Sequence, residues 1–227
     1  MPKTAVVLGA RGMVGRSWLG LLTAHGVSFR AHARPDFDLD APESAAALVR
    51  AGDRLVINAA AWTDVDGAEK DEAGAKRANG DAPTLIARRC AAVGATLIHF
   101  STDYVFDGSA NTPYEVDAPI RPVNAYGRSK AAGEEGIRRE SPDDHLIVRT
   151  SWVYAPWGNN FVRTIATLAP QRETLRVVND QRGRPTSAEQ LAANSLALYL
   201  AGSGGTWHAA DGGECTWYGL ATAIASE

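Results

Sequence analysis

The feature that most narrows the fold lies at the N-terminus. A short apolar run, Thr4–Leu8, passes directly into Gly9-Ala10-Arg11-Gly12-Met13-Val14-Gly15. A segment of helical spacing follows, Met13–His25, with Val14, Trp18, Leu21 and Leu22. An apolar run of this length reads as a buried strand. Glycines at 9, 12 and 15 permit a tight turn, close approach of a pyrophosphate and close helix–sheet packing. The helix start adds unpaired N–H groups and a partial positive charge, both suited to phosphate. Such a glycine pattern is weak alone; its place between a first strand and a first helix makes it specific.

The alternation continues along the chain. Strands are expected at Ser28–Ala33, Leu55–Asn58, Thr96–Phe100 and Leu146–Arg149, and helices at Glu43–Ala51, Asp81–Val93 and Asn124–Glu140. This order predicts an α/β protein, a Rossmann-type doubly wound parallel sheet built of right-handed βαβ units and covered on both faces. Beyond residue 150 the pattern is less regular. Asn160–Leu168 and Ser187–Leu200 read as helices, Leu175–Val178 and Thr206–Ala209 as short strands, and residues 202–205 as a turn. The expected division is a dinucleotide-binding domain over 1–150 and a small, partial substrate-binding region over 151–227, with interleaved segments. The last helix-like segment, Trp217 to Ala225, has no Pro or Gly to end it, as expected of a chain cut short of its usual end.

Composition serves to exclude. The formal net charge of −3 argues against a protein held to nucleic acid or an anionic membrane by bulk charge, while leaving room for a local basic pocket. No stretch approaches the ~20 apolar residues of a membrane span, and the N-terminal run is too short for a signal peptide. Cys90 and Cys215 form no CxxC or Cys/His cluster, and two reduced thiols in a cytoplasmic protein are the expectation. The acidic residues show no metal-ligand spacing.

Two groups of residues point to chemistry. Tyr126 and Lys130 stand four apart on an expected helix, on one face and one turn apart. A nearby ammonium favours a phenolate and is expected to lower the tyrosine pKa from about 10, making a general acid usable near neutral pH. Ser101-Thr102-Asp103-Tyr104 closes the fourth strand. Ligands in such sheets sit beyond the carboxyl ends of the strands, where a Thr102 hydroxyl could hold a carbonyl against Tyr126. The end of the second strand lacks the acid that usually takes the ribose hydroxyls of NAD. Arg34, just past that strand, and Arg11, in the glycine loop, either face a 2′-phosphate instead or are solvated surface residues. The expected cofactor is therefore NADPH or NADH, with NADPH favoured.

Longer stretches carry a resemblance. They are the run from Asn58 to Glu69, Ser101-Thr102-Asp103-Tyr104-Val105-Phe106-Asp107-Gly108, and Pro122 to Lys130 with Gly133-Glu134. Arg149 to Tyr154, Gly158 to Phe161 and Asp180 to Thr186 follow in order. On these the chain resembles the extended short-chain dehydrogenase/reductase superfamily and, within it, the dTDP-4-dehydrorhamnose reductase family. The resemblance implies NAD(P)H-dependent reduction of the C4 ketone of dTDP-4-dehydro-L-rhamnose. Tyr126 would be the general acid, Lys130 its partner on the nicotinamide ribose, and Thr102 the carbonyl-orienting hydroxyl. Gly12, Met13 and Val14, flanked by Gly9 and Gly15, would lie along the cofactor phosphates. Asp38 and Leu39 would lie near the adenine, and Ala60, Ala61 and Thr63 would line the cleft. Thr102, Asp103 and Trp152 would contact the deoxysugar.

Alternatives stay open at several of these positions. Trp152 also reads as core, Asn159 and Asn160 as a helix cap, and Asp64, Asp66 and Glu69 as a solvated helix start. Members of the family continue past the Thr216-Trp217-Tyr218 segment, so nucleotide-sugar binding is expected to be incomplete here. Some form dimers, which puts a homodimer among the expected states. Two further functions fit the resemblance. One is a non-catalytic regulatory subunit like the β subunit of methionine adenosyltransferase, which keeps the Tyr-xxx-Lys pair. The other is a different nucleotide-sugar ketoreductase or epimerase.

Overall fold

The computed structural model describes residues 1–227. Its strands are β1 (Thr4–Leu8), β2 (Ser28–His32), β3 (Leu55–Asn58), β4 (Thr96–Thr102), β5 (His145–Thr150), β6 (Val153–Tyr154), β7 (Arg182–Gly183), β8 (Thr186–Ser187), β9 (Gly205–His208) and β10 (Cys215–Thr216). Its helices are α1 (Met13–Ala24), α2 (Pro42–Ala46), α3 (Val65–Lys70), α4 (Glu72–Lys76), α5 (Ala82–Val93), α6 (Ala125–Glu140), α7 (Phe161–Leu168), α8 (Ala188–Leu200) and α9 (Trp217–Ala225). A π-helical turn, Arg77–Asp81, joins α4 to α5.

Six parallel strands form the central sheet in the order β2-β1-β3-β4-β5-β9. Side chains alternate along each strand, so every buried strand feeds two cores. Val6, Leu8, Val56, Leu97 and Ile147 face one way and meet Ala45, Ile86, Cys90 and Ile137 of α2, α5 and α6. Val7, Leu55, Ile57, Ile98, Leu146 and Val148 face the other way and meet Trp18 and Leu22 of α1 with Leu191, Ala192 and Leu196 of α8. The strand order reverses between β1 and β3, and that reversal opens a crevice at their carboxyl ends. The expected doubly wound parallel sheet is therefore present.

The chain beyond residue 150 does two things. α8 and β9 return to the main body: α8 covers the face beside α1, and β9 extends the sheet next to β5. The remainder forms a smaller region of two-residue strand pairs, β6 with β8 and β7 with β10, together with α7 and α9. No helix is long and apolar enough to cross a membrane. Cys90 is buried, Cys215 lies in β10, and both are free thiols.

Several local expectations need correction. Leu175–Val178 is not a strand; its residues line an apolar cavity with Phe161, Ile165 and Trp217, and no strand pairs with them. The helix expected over Glu43–Ala51 stops at Ala46 and ends in tighter turns, in which Leu48 and Val49 donate to Ala45 and Ala46. Helix α3 begins where Asp64, Asp66 and Glu69 also read as a helix start, while α4 lies where the sequence suggests no helix. Asp64 and Asp71 cap them by accepting from the Gly67 and Gly74 amides, so Asp64 is a helix start.

Helix α6 approaches its neighbours very closely. A Cβ at Gly133 would fall on the Asn79 carbonyl oxygen, and one at Gly136 on the Thr84 hydroxyl. Gly133→Ala must therefore push α6 away from the π-helical turn. It is expected to cost about 1–3 kcal/mol in urea unfolding, the usual range for overpacking.

Candidate active site

The glycine loop is built for backbone contact. Gly9 has φ +83°, and a Cβ there would stand 2.6 Å from the Ala59 carbonyl carbon and the Ala60 nitrogen. The Gly9 and Ala10 amides donate to the His32 carbonyl at 2.9 and 3.0 Å, tying the loop to β2. A Cβ at Gly15 would run into the Gly9 carbonyl oxygen. Gly12 caps α1 without any side-chain bond, and the first turn carries no acidic residue. The amides that open α1 thus face the crevice without a capping side chain, beneath a loop that admits no side chain at Gly9. This donor set fits a pyrophosphate.

The flanks place the other expected cofactor contacts. Ala60 is buried, Ala61 is half-buried and Thr63 is exposed on the loop after β3. Asn79, in the π-helical turn, clamps that loop. Its Oδ1 accepts from the Trp62 amide at 2.9 Å, and its Nδ2 donates to the Trp62 carbonyl at 2.9 Å and to Ser129 Oγ at 3.0 Å. Nothing in the sequence marked Asn79. Arg11 donates to the Arg34 carbonyl at 3.0 Å, and the Arg34 guanidinium stands 3.7 Å from Asp38 on the exposed rim after β2. The Leu39 side chain is buried in the core beside α2, which leaves its backbone at the rim.

The Thr102–Tyr126–Lys130 set comes together at the carboxyl end of β4. Asn124 caps α6 by accepting from the Gly127 amide at 2.7 Å, and Glu69 of α3 accepts from the Ala125 amide at 2.7 Å. A Cβ at Gly127 would meet the Tyr104 carbonyl oxygen, so this glycine lets α6 press against the turn that follows Thr102. The Tyr104 and Tyr126 rings meet edge to face, with centroids 5.7 Å apart. Thr102 Oγ1 accepts from the Tyr104 amide at 3.2 Å and donates to Asp103 Oδ1 at 3.0 Å.

The electrostatics correct the expectation for Tyr126. Its pKa is pushed up, first by burial and then by the Asp103 carboxylate, while the neighbouring Thr102 hydroxyl works the other way. The Lys130 ammonium does not lower it. Lys130 Nζ is turned into the sheet, donating to the Phe100 carbonyl at 2.6 Å and standing 3.1 Å from His99 Nε2. Burial brings the Lys130 pKa down to about 8, against the opposing pull of Glu134.

Glu134 anchors the helix that carries both residues. It receives Arg149 Nε at 2.8 Å and Nη2 at 2.7 Å, and Arg138 at 2.5 Å. Burial pushes its carboxyl up, but Arg149, Ser101 and Arg138 outweigh that and hold it below its ordinary value.

The second region supplies two tryptophans. Trp152, at φ +48°, follows β5, the strand next to β4. Its ring stacks on Trp217 at 3.6 Å, and a Cβ at Gly183 would strike it. Trp157, which sequence reasoning passed over, donates to the Met13 carbonyl at 3.3 Å and lies under the Arg16 guanidinium. Asn160 caps α7 by accepting from the Arg163 amide at 3.1 Å.

A dinucleotide crevice at a sheet reversal, with Thr102 and Tyr126 beside it and Lys130 buried one helical turn on, is the arrangement of a short-chain dehydrogenase/reductase of the extended type. Comparison with known proteins narrows this. Residues 3–227 match the model of the RmlD substrate binding domain family. A dTDP-4-dehydrorhamnose reductase of Streptomyces griseus is 41% identical, over 95% of this chain and 73% of its own. A dTDP-4-keto-6-deoxy-D-glucose reductase of Streptomyces niveus is 42% identical, over 95% of this chain and 75% of its own. The structure is similar to that of a dTDP-4-dehydrorhamnose reductase of Bacillus anthracis in complex with NADP, with TM-score 0.93 and 33% identity, over all of this chain and 81% of that one. The chain belongs to the dTDP-4-dehydrorhamnose reductase family, a family of oxidoreductases.

Glu134→Gln tests the anchor. Leaving Arg149 buried beside a neutral partner is expected to cost about 3–5 kcal/mol of unfolding free energy at pH 7. Because the native carboxyl lies below its ordinary 4.5, its contribution is complete above that pH and is lost as the pH falls through the native value. The variant should accordingly show a flatter acid limb in a stability-versus-pH series.

Proposed function

We propose that this chain reduces the C4 ketone of dTDP-4-dehydro-L-rhamnose to the alcohol of dTDP-L-rhamnose, with a reduced nicotinamide dinucleotide as co-substrate. The observation that carries the reading is the juxtaposition of Thr102, Tyr126 and Lys130 with the glycine loop at one end of one sheet. Residues 1–150, together with α8 and β9, would hold the cofactor, and the remainder would hold the nucleotide sugar.

The geometry supports the following roles. Reduction of a ketone needs a hydride on carbon and a proton on oxygen, and the bound nicotinamide supplies the hydride. Tyr126 keeps its phenolic proton at neutral pH, because its pKa is raised, and so serves as a loaded proton donor. Thr102, its hydroxyl turned from Asp103 toward the substrate, would give the carbonyl oxygen a second hydrogen bond, where negative charge builds in the transition state. The Gly12, Met13 and Val14 amides would hold the phosphates, with Gly9 and Gly15 allowing their approach. Ala60, Ala61 and Thr63 would line the cleft, and Lys130 would meet the ribose. Asp38 and the backbone at Leu39 would border the adenine, with Arg34 and Arg11 near a 2′-phosphate. Asp103 and Trp152 would touch the deoxysugar. The Streptomyces niveus relative supports a second substrate, a dTDP-4-keto-6-deoxy-D-glucose, for the same residues.

Two assays test this. Tyr126→Phe is expected to lower turnover of the 4-keto sugar ~10²–10⁴-fold with cofactor binding retained, the range for loss of a general acid. Near wild-type turnover would remove Tyr126 from the role. Arg34→Ala should lower the NADPH-over-NADH preference in kcat/KM by about tenfold, the worth of one charge-assisted contact to phosphate. An unchanged ratio would return Arg34 to the solvated rim.

A further inference from the structure

The polar groups behind Lys130 form a closed chain whose protons can be counted. The Ala60 amide donates to Asn58 Oδ1 at 3.2 Å, which fixes the orientation of the Asn58 amide. Asn58 Nδ2 then faces His99 Nδ1 at 3.1 Å. An amide NH₂ can only donate, so Nδ1 must accept. A neutral imidazole carries one proton, which is therefore on Nε2. Nε2–H points at Lys130 Nζ, 3.1 Å away. An ammonium has no lone pair to receive it; an amine does. The Phe100 carbonyl, 2.6 Å from Nζ, accepts one of the amine hydrogens.

We propose that His99, with its tautomer set by Asn58, is a positioning residue that favours the amine form of Lys130 over the ammonium in the cofactor-free protein. His99, Asn58 and Lys130 are all buried. Burial holds the His99 pKa well below its ordinary value, so a protonated imidazole does not relieve the count. The other charged and titratable groups at this end have other partners. Glu134 of α6 favours the ammonium, but its carboxylate is paired with Arg149 of β5 and with Arg138. Asp103, after β4, accepts from Thr102 and acts on Tyr126 and Tyr104. β3 contributes only the uncharged Asn58, through which no proton can leave, so the chain tunes the lysine and is not a relay. If Lys130 meets the cofactor ribose as proposed above, the positive charge at that contact is gained or lost by one proton near neutral pH.

The chain has four lysines, Lys3, Lys70, Lys76 and Lys130, which makes the claim directly measurable. Protein labelled with ¹³C at lysine Cε, without cofactor or substrate, is titrated by NMR. Lys130, assigned by its loss in Lys130→Met, should titrate near pH 8, well below the ordinary lysine value of 10.5. Asn58→Ala frees Nδ1 to carry the proton and Nε2 to accept from an ammonium. His99→Gln offers a carbonyl oxygen in the same place. Each folded variant should raise the Lys130 midpoint by about one pH unit. In the wild-type protein, long-range ¹H–¹⁵N spectra should show His99 protonated on Nε2 alone. A proton on His99 Nδ1, or a Lys130 that titrates with the other lysines, would overturn the proposal. A midpoint unmoved in the folded variants would do the same. No turnover is measured, so failure here leaves the proposed reaction standing, and failure of that reaction leaves this titration standing.

Discussion

The structure depends on how closely α6 lies against what surrounds it. Tyr126 and Lys130 are one turn apart on this helix, and their usefulness rests on where its axis runs. Gly127 lets it touch the turn after Thr102, Gly133 lets it touch the π-helical turn, and Gly136 lets it touch α5. Three missing side chains bring the backbone within reach, and one buried carboxylate, Glu134, fastens it to Arg149 on β5. Helix propensity opposes this composition, since each interior glycine costs about 1 kcal/mol relative to alanine. Tertiary packing reverses that preference.

The same closeness ties the two halves of the site together. Ser129, between Tyr126 and Lys130, meets Asn79, which clamps the loop carrying Ala60, Ala61 and Thr63. Asn58, which begins that loop, reaches across the sheet to His99 and so to Lys130. Glu69 of α3 holds the start of α6. The loop after β3 and the stretch of α6 that carries Tyr126 and Lys130 therefore share one network, anchored in the layer of buried strands.

The fold was legible because buried parallel strands are continuous apolar runs and the glycine loop stands where β1 meets α1. The pieces that escaped are those whose signal is not periodic. Helices α3 and α4 are short, polar and defined by their Asp caps, and the two-residue strands exist only through their partners. Leu175–Val178 has strand composition but lines a cavity, so apolarity alone misled there. Tyr126 and Lys130 could be found because four residues is one helical turn. Asn58 and His99 could not, being 41 residues apart in sequence and joined only by the β3–β4 register. The same blindness explains the Lys130 correction, since helical spacing brings it near Tyr126 but only the sheet turns its amine toward Phe100 and His99.

Strand β9 enters the sheet more than fifty residues after β5, its neighbour, and α8 covers α1 from similarly far along the chain. Without those segments, one edge of β5 has no hydrogen-bond partner, and Trp18 and Leu22 keep the sheet beneath them but lose the cover of α8. Order in the N-terminal half is thus completed late, by contacts of long sequence separation, which is the slow class of folding event. A fragment cut at residue 150 would carry every residue proposed for catalysis and still present a raw strand edge and a bare apolar face. Residues 1–150 share their packing with α8 and β9, so the part proposed to hold the cofactor does not end where its strand and helix contacts end.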